Sequence, residues 1–217
     1  MVISRRAYIE RFRRLIYNGQ PSDDASISIN LVNYYLGDAL ATAAKTNYKE
    51  NLAIDGIRYV NNSFYTVFKG LAIVSDDQFL WKVTLPEIPV GLGSMDSIST
   101  VVVKDNTSAQ LSFPVVLLSQ NEKGISRSLR TIPNKLLGFP QGKYIYLQST
   151  LILSDYTVNV TMVSGGDSTD LDSDLNVPPD YLPIMDDFLT KKLLLEKAQP
   201  LDAQNDGQDF APQQPTV

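Results

Sequence analysis

The sequence predicts an α+β fold: helices from both chain ends form one layer, and an antiparallel β-sandwich or barrel is inserted between them. Three observations predict it. Apolar residues recur at helical spacing through residues 1–50, the period shortens to two between roughly residues 57 and 164, and helical spacing returns after Pro178. The chain has 217 residues, 43% of them hydrophobic and 20% charged, enough for one substantial core or a core plus a small satellite.

Residues 4–17 read as the first helix. Tyr8, Ile9, Phe12, Leu15 and Ile16 share a face, and the arginines lie mostly opposite. Asn18-Gly19 supplies a left-handed stop, and Pro21 prevents resumption. A second helix is expected from about Ile29 to Asn47, with Val32, Leu36, Ala39, Leu40 and Ala43 at helical spacing. Six strands follow, around 64–68, 79–83, 99–103, 115–118, 143–147 and 156–162, each β-branched or aromatic and bounded by Gly, Pro, Asn or Asp. Phe139-Pro140-Gln141-Gly142 reads as a tight reversal into the strand at Lys143. Pro178-Pro179-Asp180 is a helix-start signal, and Tyr181, Leu182, Met185, Phe188, Leu189 and Leu193 give the third helix a broad apolar stripe. The expected divisions are therefore 1–50 with 177–197 as the helical layer, 55–164 as the β unit and 165–176 as an acidic loop. Residues 198–217 are expected to be an extended C-terminal arm with Leu201 and Phe210 as its apolar anchors.

Composition excludes several chemistries. The chain lacks cysteine and histidine, so no disulfide, thiolate nucleophile, His-based triad or imidazole-ligated metal is available. An enzyme built from it would depend on carboxylates, Lys, Tyr and hydroxyls, and no phosphate-binding or nucleophile-elbow motif occurs. The reading is non-enzymatic, without cofactor. Asp170, Asp172 and Asp174 alternate like the first half of a calcium loop, but Leu175 replaces the glycine and Tyr181 the closing glutamate. A solvated acidic turn that ends in a helix start is the preferred reading. Asp76-Asp77 and Asp186-Asp187 are paired carboxylates in expected turn or helix surface. Trp81, Tyr144, Tyr146 and Tyr156 would suit a sugar-binding face or a sheet core. No export signal begins the chain and no apolar run is long enough to span a bilayer, so a protein made in a cytoplasm and free of membrane is expected.

Charge is distributed unevenly along a chain of net charge −5. Residues 1–17 hold five arginines against one glutamate, a net +4. Residues 165–217 hold ten aspartates and one glutamate against three lysines, a net −8. A basic head and an acidic tail suit contacts between neighbouring copies or with different partners. Arg5, Arg6, Arg11, Arg13, Arg14, Leu201 and Phe210 are the candidate interface residues. Reversing Arg11, Arg13 and Arg14 is expected to weaken assembly more than folding.

The order of parts resembles a known family. The stretches RRAYIERFRRLIYNGQPSDDASISINLVNYYLGDALATAAKTNYKEN, GLAIVSDDQFLWKVTLPEIPVGLG and VSGGDSTDLDSDLNVPPDYLPIMDDFL together span most of the chain. They resemble the head–tail connector (adaptor or tail tubular) proteins of short-tailed bacteriophages, and are similar to ring proteins of crAss-like phages. The resemblance implies a structural virion protein of the neck or tail at the portal vertex. It implies a homo-oligomeric ring of about twelve copies stacked below the portal, continuing the channel for passing genomic DNA and seating adjacent ring or tail proteins. It carries over no catalytic residue. A β-sandwich binding module for a glycan or a protein is the alternative from another class.

Overall fold

The computed structural model describes residues 3–19, 27–77, 80–92, 97–106, 112–118, 136–149, 152–165 and 170–198. Leu201, Phe210 and the rest of the expected arm beyond 198 lie outside the described residues, as does Asp167 of the acidic loop.

A two-residue strand β1 (Ile3–Ser4) leads directly into helix α1 (Arg5–Ile16). The Ser4 hydroxyl accepts the Ala7 N–H and caps the helix, and Asn18, at φ 50°, ends it in the left-handed region. Helix α2 (Ile29–Asp55) starts on a Ser28 cap and stops at Gly56, whose φ of 68° suits a residue without Cβ. It is longer than the apolar stripe predicts. Buried positions end at Asn47, but Lys49, Glu50, Leu52 and Ala53 are good helix formers, so the helix propagates on to its glycine cap. Helix α3 (Leu182–Ala198) follows a single 3-10 turn at Pro179–Tyr181, with Pro at the first turn as expected.

Between α2 and α3 the chain forms a closed barrel of seven strands: β2 (Tyr65–Asp77), β3 (Leu80–Thr84), β4 (Ile98–Asp105), β5 (Ser112–Leu117), β6 (Leu136–Gln141), β7 (Tyr144–Gln148) and β8 (Tyr156–Val163). The order round the ring is β2-β3-β7-β6-β5-β4-β8. Barrel, not sandwich, is the form the inserted unit takes. It also departs from a wholly antiparallel sheet. A ring with an odd number of strands cannot alternate direction all the way round, so at least one neighbouring pair must run parallel. That pair is β5 and β6, with Val115, Val116 and Leu117 opposite Leu136, Leu137 and Gly138. The six expected strands are all present. The seventh, β6, was hidden because Gly138 and Pro140 read as punctuation, whereas the reversal itself is confined to Gly142-Lys143.

Alternation along the strands fills the barrel with Val83, Val101, Val103, Ile145, Leu147, Val158, Val160 and Met162. A second core is helical: Tyr8, Ile9 and Phe12 of α1, Val32, Leu36, Ala39, Leu40, Ala43 and Ala44 of α2, and Met185, Leu189 and Leu193 of α3. Phe64 and Val163, at the start of β2 and the end of β8, belong to this helical core. They seat the layer on one end of the barrel. The two bodies also meet backbone to backbone, since a Cβ built on Gly165 would stand 3.3 Å from the Gly37 Cα. Helix α2 crosses the barrel exit there with no side chain between them.

Candidate functional site

The arginines of α1 and the acidic residues near the chain's other end are the groups that sequence patterning singled out, and the fold brings many of them together within one chain. β1 pairs with a short strand β9 (Asp174–Leu175), placing Ile3 opposite Leu175 and Ser4 opposite Asp174. The Arg5 N–H then donates to the Ser173 carbonyl at 3.0 Å and the Arg6 N–H to the Leu171 carbonyl at 2.7 Å. The acidic turn thus accepts two backbone donors that open α1, which the helix itself leaves unmatched. Arg6 completes the clamp with a two-pronged contact to Asp172, Nε to Oδ1 at 2.8 Å and Nη2 to Oδ2 at 3.3 Å.

The three alternating aspartates therefore have three different occupations. Asp170 accepts the Asp172 N–H on its side chain and the Ser173 hydroxyl on its carbonyl, Asp172 faces Arg6, and Asp174 sits in β9. Among the described residues no group of three acidic side chains is placed to hold a metal ion.

The Arg6 hydrogen bond holds the Asp172 carboxyl below its ordinary value of 3.8. A carboxylate depressed by folding contributes stability above its unfolded pKa and loses it as pH falls through the folded one. The melting temperature of Arg6→Ala should therefore fall below that of the wild type at pH 7 and converge with it near pH 2. A gap that persists unchanged into acid would show that the pair does not act through charge. The effect is small, because both groups are exposed.

Further along α1, Asp186 of α3 receives two donors. The Tyr8 hydroxyl reaches Oδ1 at 2.7 Å, and Arg11 pairs with Oδ2. Burial and the neighbouring carboxylate push the Tyr8 hydroxyl well above its ordinary value, so it stays protonated and keeps donating. Arg13 donates to the Ile27 carbonyl at 3.0 Å. Only Arg14 of the five has no such side-chain partner among the described residues.

The largest departure is Arg5, which is 2% exposed. Its side chain donates to Asn33 Oδ1 on α2 and to the Gly165 carbonyl at the barrel exit. It pins the interior and offers nothing to a partner. Arg11 and Arg13 also have partners within the chain, so reversing Arg11, Arg13 and Arg14 is expected to cost folding stability as well as any assembly. The expectation that all three are free on the helix surface is corrected for Arg11 and Arg13.

The aromatic residues do not assemble into one face. Trp81 shares the inner side of β3 with Val83 and, like Tyr156, packs on the barrel core. Tyr144 and Tyr146 stand on the outer side of β7, their ring centroids 6.3 Å apart, with the Lys82 ammonium 4.2 Å from the Tyr144 centroid. The paired carboxylates also diverge: Asp186 faces Tyr8 and Arg11, while Asp187 pairs with Lys191. Asp76 and Asp77 are exposed at the end of β2.

Sequence reasoning passed over two exposed apolar tips. At the end of α2 every residue from 52 to 59 is exposed, Leu52, Ile54, Ile57 and Tyr59 among them. At the end of α3, Leu194 and Leu195 are exposed. The signal for the second was present, because Leu193-Leu194-Leu195 cannot all face one side of a helix. No helix among the described residues is long and apolar enough to cross a membrane. No protein-family model matches the chain, and a search of curated proteins finds no relative.

Proposed function

We propose that the protein is a structural subunit of a phage neck or tail, assembling into a closed ring that joins the portal to the tail and continues the DNA channel. The observation that carries this reading is the architecture. Helices from the two chain ends close into a single core, and a barrel emerges between them as an inserted body. The sequence resemblance to head–tail connectors implies that same layout. Two further features support it. Four of the five site arginines are committed to holding the fold together, and exposed apolar residues, Leu52, Ile54, Leu194 and Leu195 towards helix ends and Val67, Val74, Ile88 and Ile152 on the β unit, leave apolar surface that a neighbour could cover. The acidic balance is compatible with passing DNA, since a channel that does not grip phosphates lets it slide.

Copy number tests this directly. Native mass measurement and particle imaging of the full chain, alone and with the portal protein of the same virus, should give a closed ring of about twelve copies in at least one of the two conditions. A monomer under both conditions overturns the reading.

A further inference from the structure

Two large apolar side chains are buried outside both cores. Leu137 and Phe139 of β6 are each 5% exposed, yet neither joins the helical core or the barrel interior. They stand on the outer side of the strand. Leu136 packs in the barrel interior, and a Cβ on Gly138 would meet Val115, Leu117 and Leu147, so alternation turns Leu137 and Phe139 outwards. The register agrees, with Phe139 opposite Tyr146 and Leu137 flanked by Val116 of β5 and Gln148 of β7. Neighbouring strands do not explain this burial. The outside of a barrel is convex, so side chains there splay apart and shield only one another's flanks. Val116 is 37% exposed on that basis, and Val67 and Val74 on the outer side of β2 are 52% and 60% exposed. Leu137 and Phe139 need a further layer over them.

Topology and sequence together name that layer. β5 and β6 are neighbours that run parallel, so the chain leaves β5 at one end of the barrel and enters β6 at the other. Such a connection takes a dozen or more residues and is commonly a helix. Side chains fill the barrel interior, which leaves only the outside for the return. The length of β6 is about 20 Å at 3.3 Å per residue, which about 13 residues would cover as a helix at 1.5 Å each. Residues 119–135 are enough for that, and their sequence has the right pattern. Ile125, Leu129 and Ile132 recur at i, i+4 and i+7, Lys123, Arg127 and Arg130 recur at the same intervals on the opposite side, and Pro133 ends the pattern.

We propose that residues 119–135 dock on the outer face of β6 as an amphipathic helix, with Ile125, Leu129 and Ile132 covering Leu137 and Phe139. The inference is independent of the ring reading. The occupant is this segment because both of its ends are tied to the strands that it covers. Residues 199–217, with Leu201 and Phe210, leave α3 at the helical layer instead. The basic stripe then faces water, where its charges keep their hydration while the apolar stripe loses its own.

The chain has no cysteine, so Phe139→Cys in the full chain places a single thiol beneath the cover. That thiol should react with a maleimide at least ~10-fold more slowly than the thiol of Val74→Cys, an exposed position on the same outer surface. Adding Leu129→Asn sets a polar amide in the apolar contact. It should speed labelling of Phe139→Cys at least ~10-fold and leave Val74→Cys unchanged. Leu137→Cys gives the same reading if the melting curve shows that Phe139→Cys does not fold. Equal rates at the covered and exposed positions would overturn the proposal, as would labelling of Phe139→Cys that ignores Leu129→Asn. Protection lost on deleting residues 199–217 would assign the face to the chain's own tail, and protection lost on dilution would assign it to a second copy. Either result overturns docking by 119–135.

Discussion

Arg5→Ala should lower the free energy of unfolding by about 3 kcal/mol, more than the same change at any other arginine of α1. Arg5 is the first residue of the helix and is 2% exposed. Its guanidinium spans two bodies: one nitrogen donates to the Asn33 side-chain oxygen on α2, another to the Gly165 carbonyl where the barrel strand exits. Truncation removes a large side chain from a packed interior and leaves both acceptors without that donor. Arg5→Met keeps much of the volume and should cost less than alanine. Arg5→Lys should recover little, because a single ammonium cannot reproduce a planar fork aimed at two acceptors. Urea unfolding monitored by helical and aromatic signals together measures this. A loss below about 1 kcal/mol, the worth of one ordinary hydrogen bond, would show that Arg5 does not join the two bodies.

Arg5 also shows what the sequence did and did not make legible. Helical spacing placed Tyr8, Ile9 and Phe12 on the buried face, and the structure agrees. The same spacing puts Arg5 three, four and seven residues before them, on that face. Its charge alone assigned it to solvent. Patterning reads burial well for residues whose chemistry suits burial, and misreads a charged group whose partners come from Asn33 and Gly165, 28 and 160 residues away. The basic head and acidic tail were legible as signs, but not as a contact inside one chain. What decides between a neighbour and oneself is the β1–β9 pairing, two residues long and beyond the reach of any periodic signal. Leu15 fails for a different reason. It keeps the apolar spacing yet is exposed, because it lies at the edge of the stripe, while Ile16 next to it still packs on the helical core.

The β unit was legible in its strands and illegible in its closure. Alternation fixes which side of a strand is buried, and it does so equally for a sandwich and a barrel. Closure depends on the parallel pairing of β5 with β6, whose register joins residues about twenty positions apart in sequence. Nothing local in Val115-Val116-Leu117 announces that partner. The exposed tips were visible only in part: the leucine triplet is a local signal, whereas exposure of Ile54 follows from how far α2 runs past its last buried turn.

The seam that closes the barrel is also where one added methyl group should matter most. Gly138 sits in β6 opposite Leu147 of β7 and beside Leu117 of β5, and it faces the barrel interior. A Cβ built there would stand 2.6 Å from Val115 Cγ1 and 3.1 Å from Leu117 Cδ2. The first is closer than packed carbon atoms come and the second is tight, and both belong to the strand that must pair with β6. Leu117 can turn its methyl aside, but Val115 is branched at Cβ and must change its rotamer or draw β5 away from β6, a seam held among the described residues by three registered positions. Gly138→Ala should therefore cost about 1–2 kcal/mol, and Gly138→Val about 3. Higher β propensity and lower chain entropy would, on an open sheet, make both changes favourable, so the sign of the effect separates a closed barrel from an open one. Adding Val115→Ala to Gly138→Ala should return part of the loss, giving a coupling of at least about 0.5 kcal/mol between two sites in contact. If Gly138→Ala stabilises the protein, or the two changes simply add, the interior at this seam is looser than the fold requires.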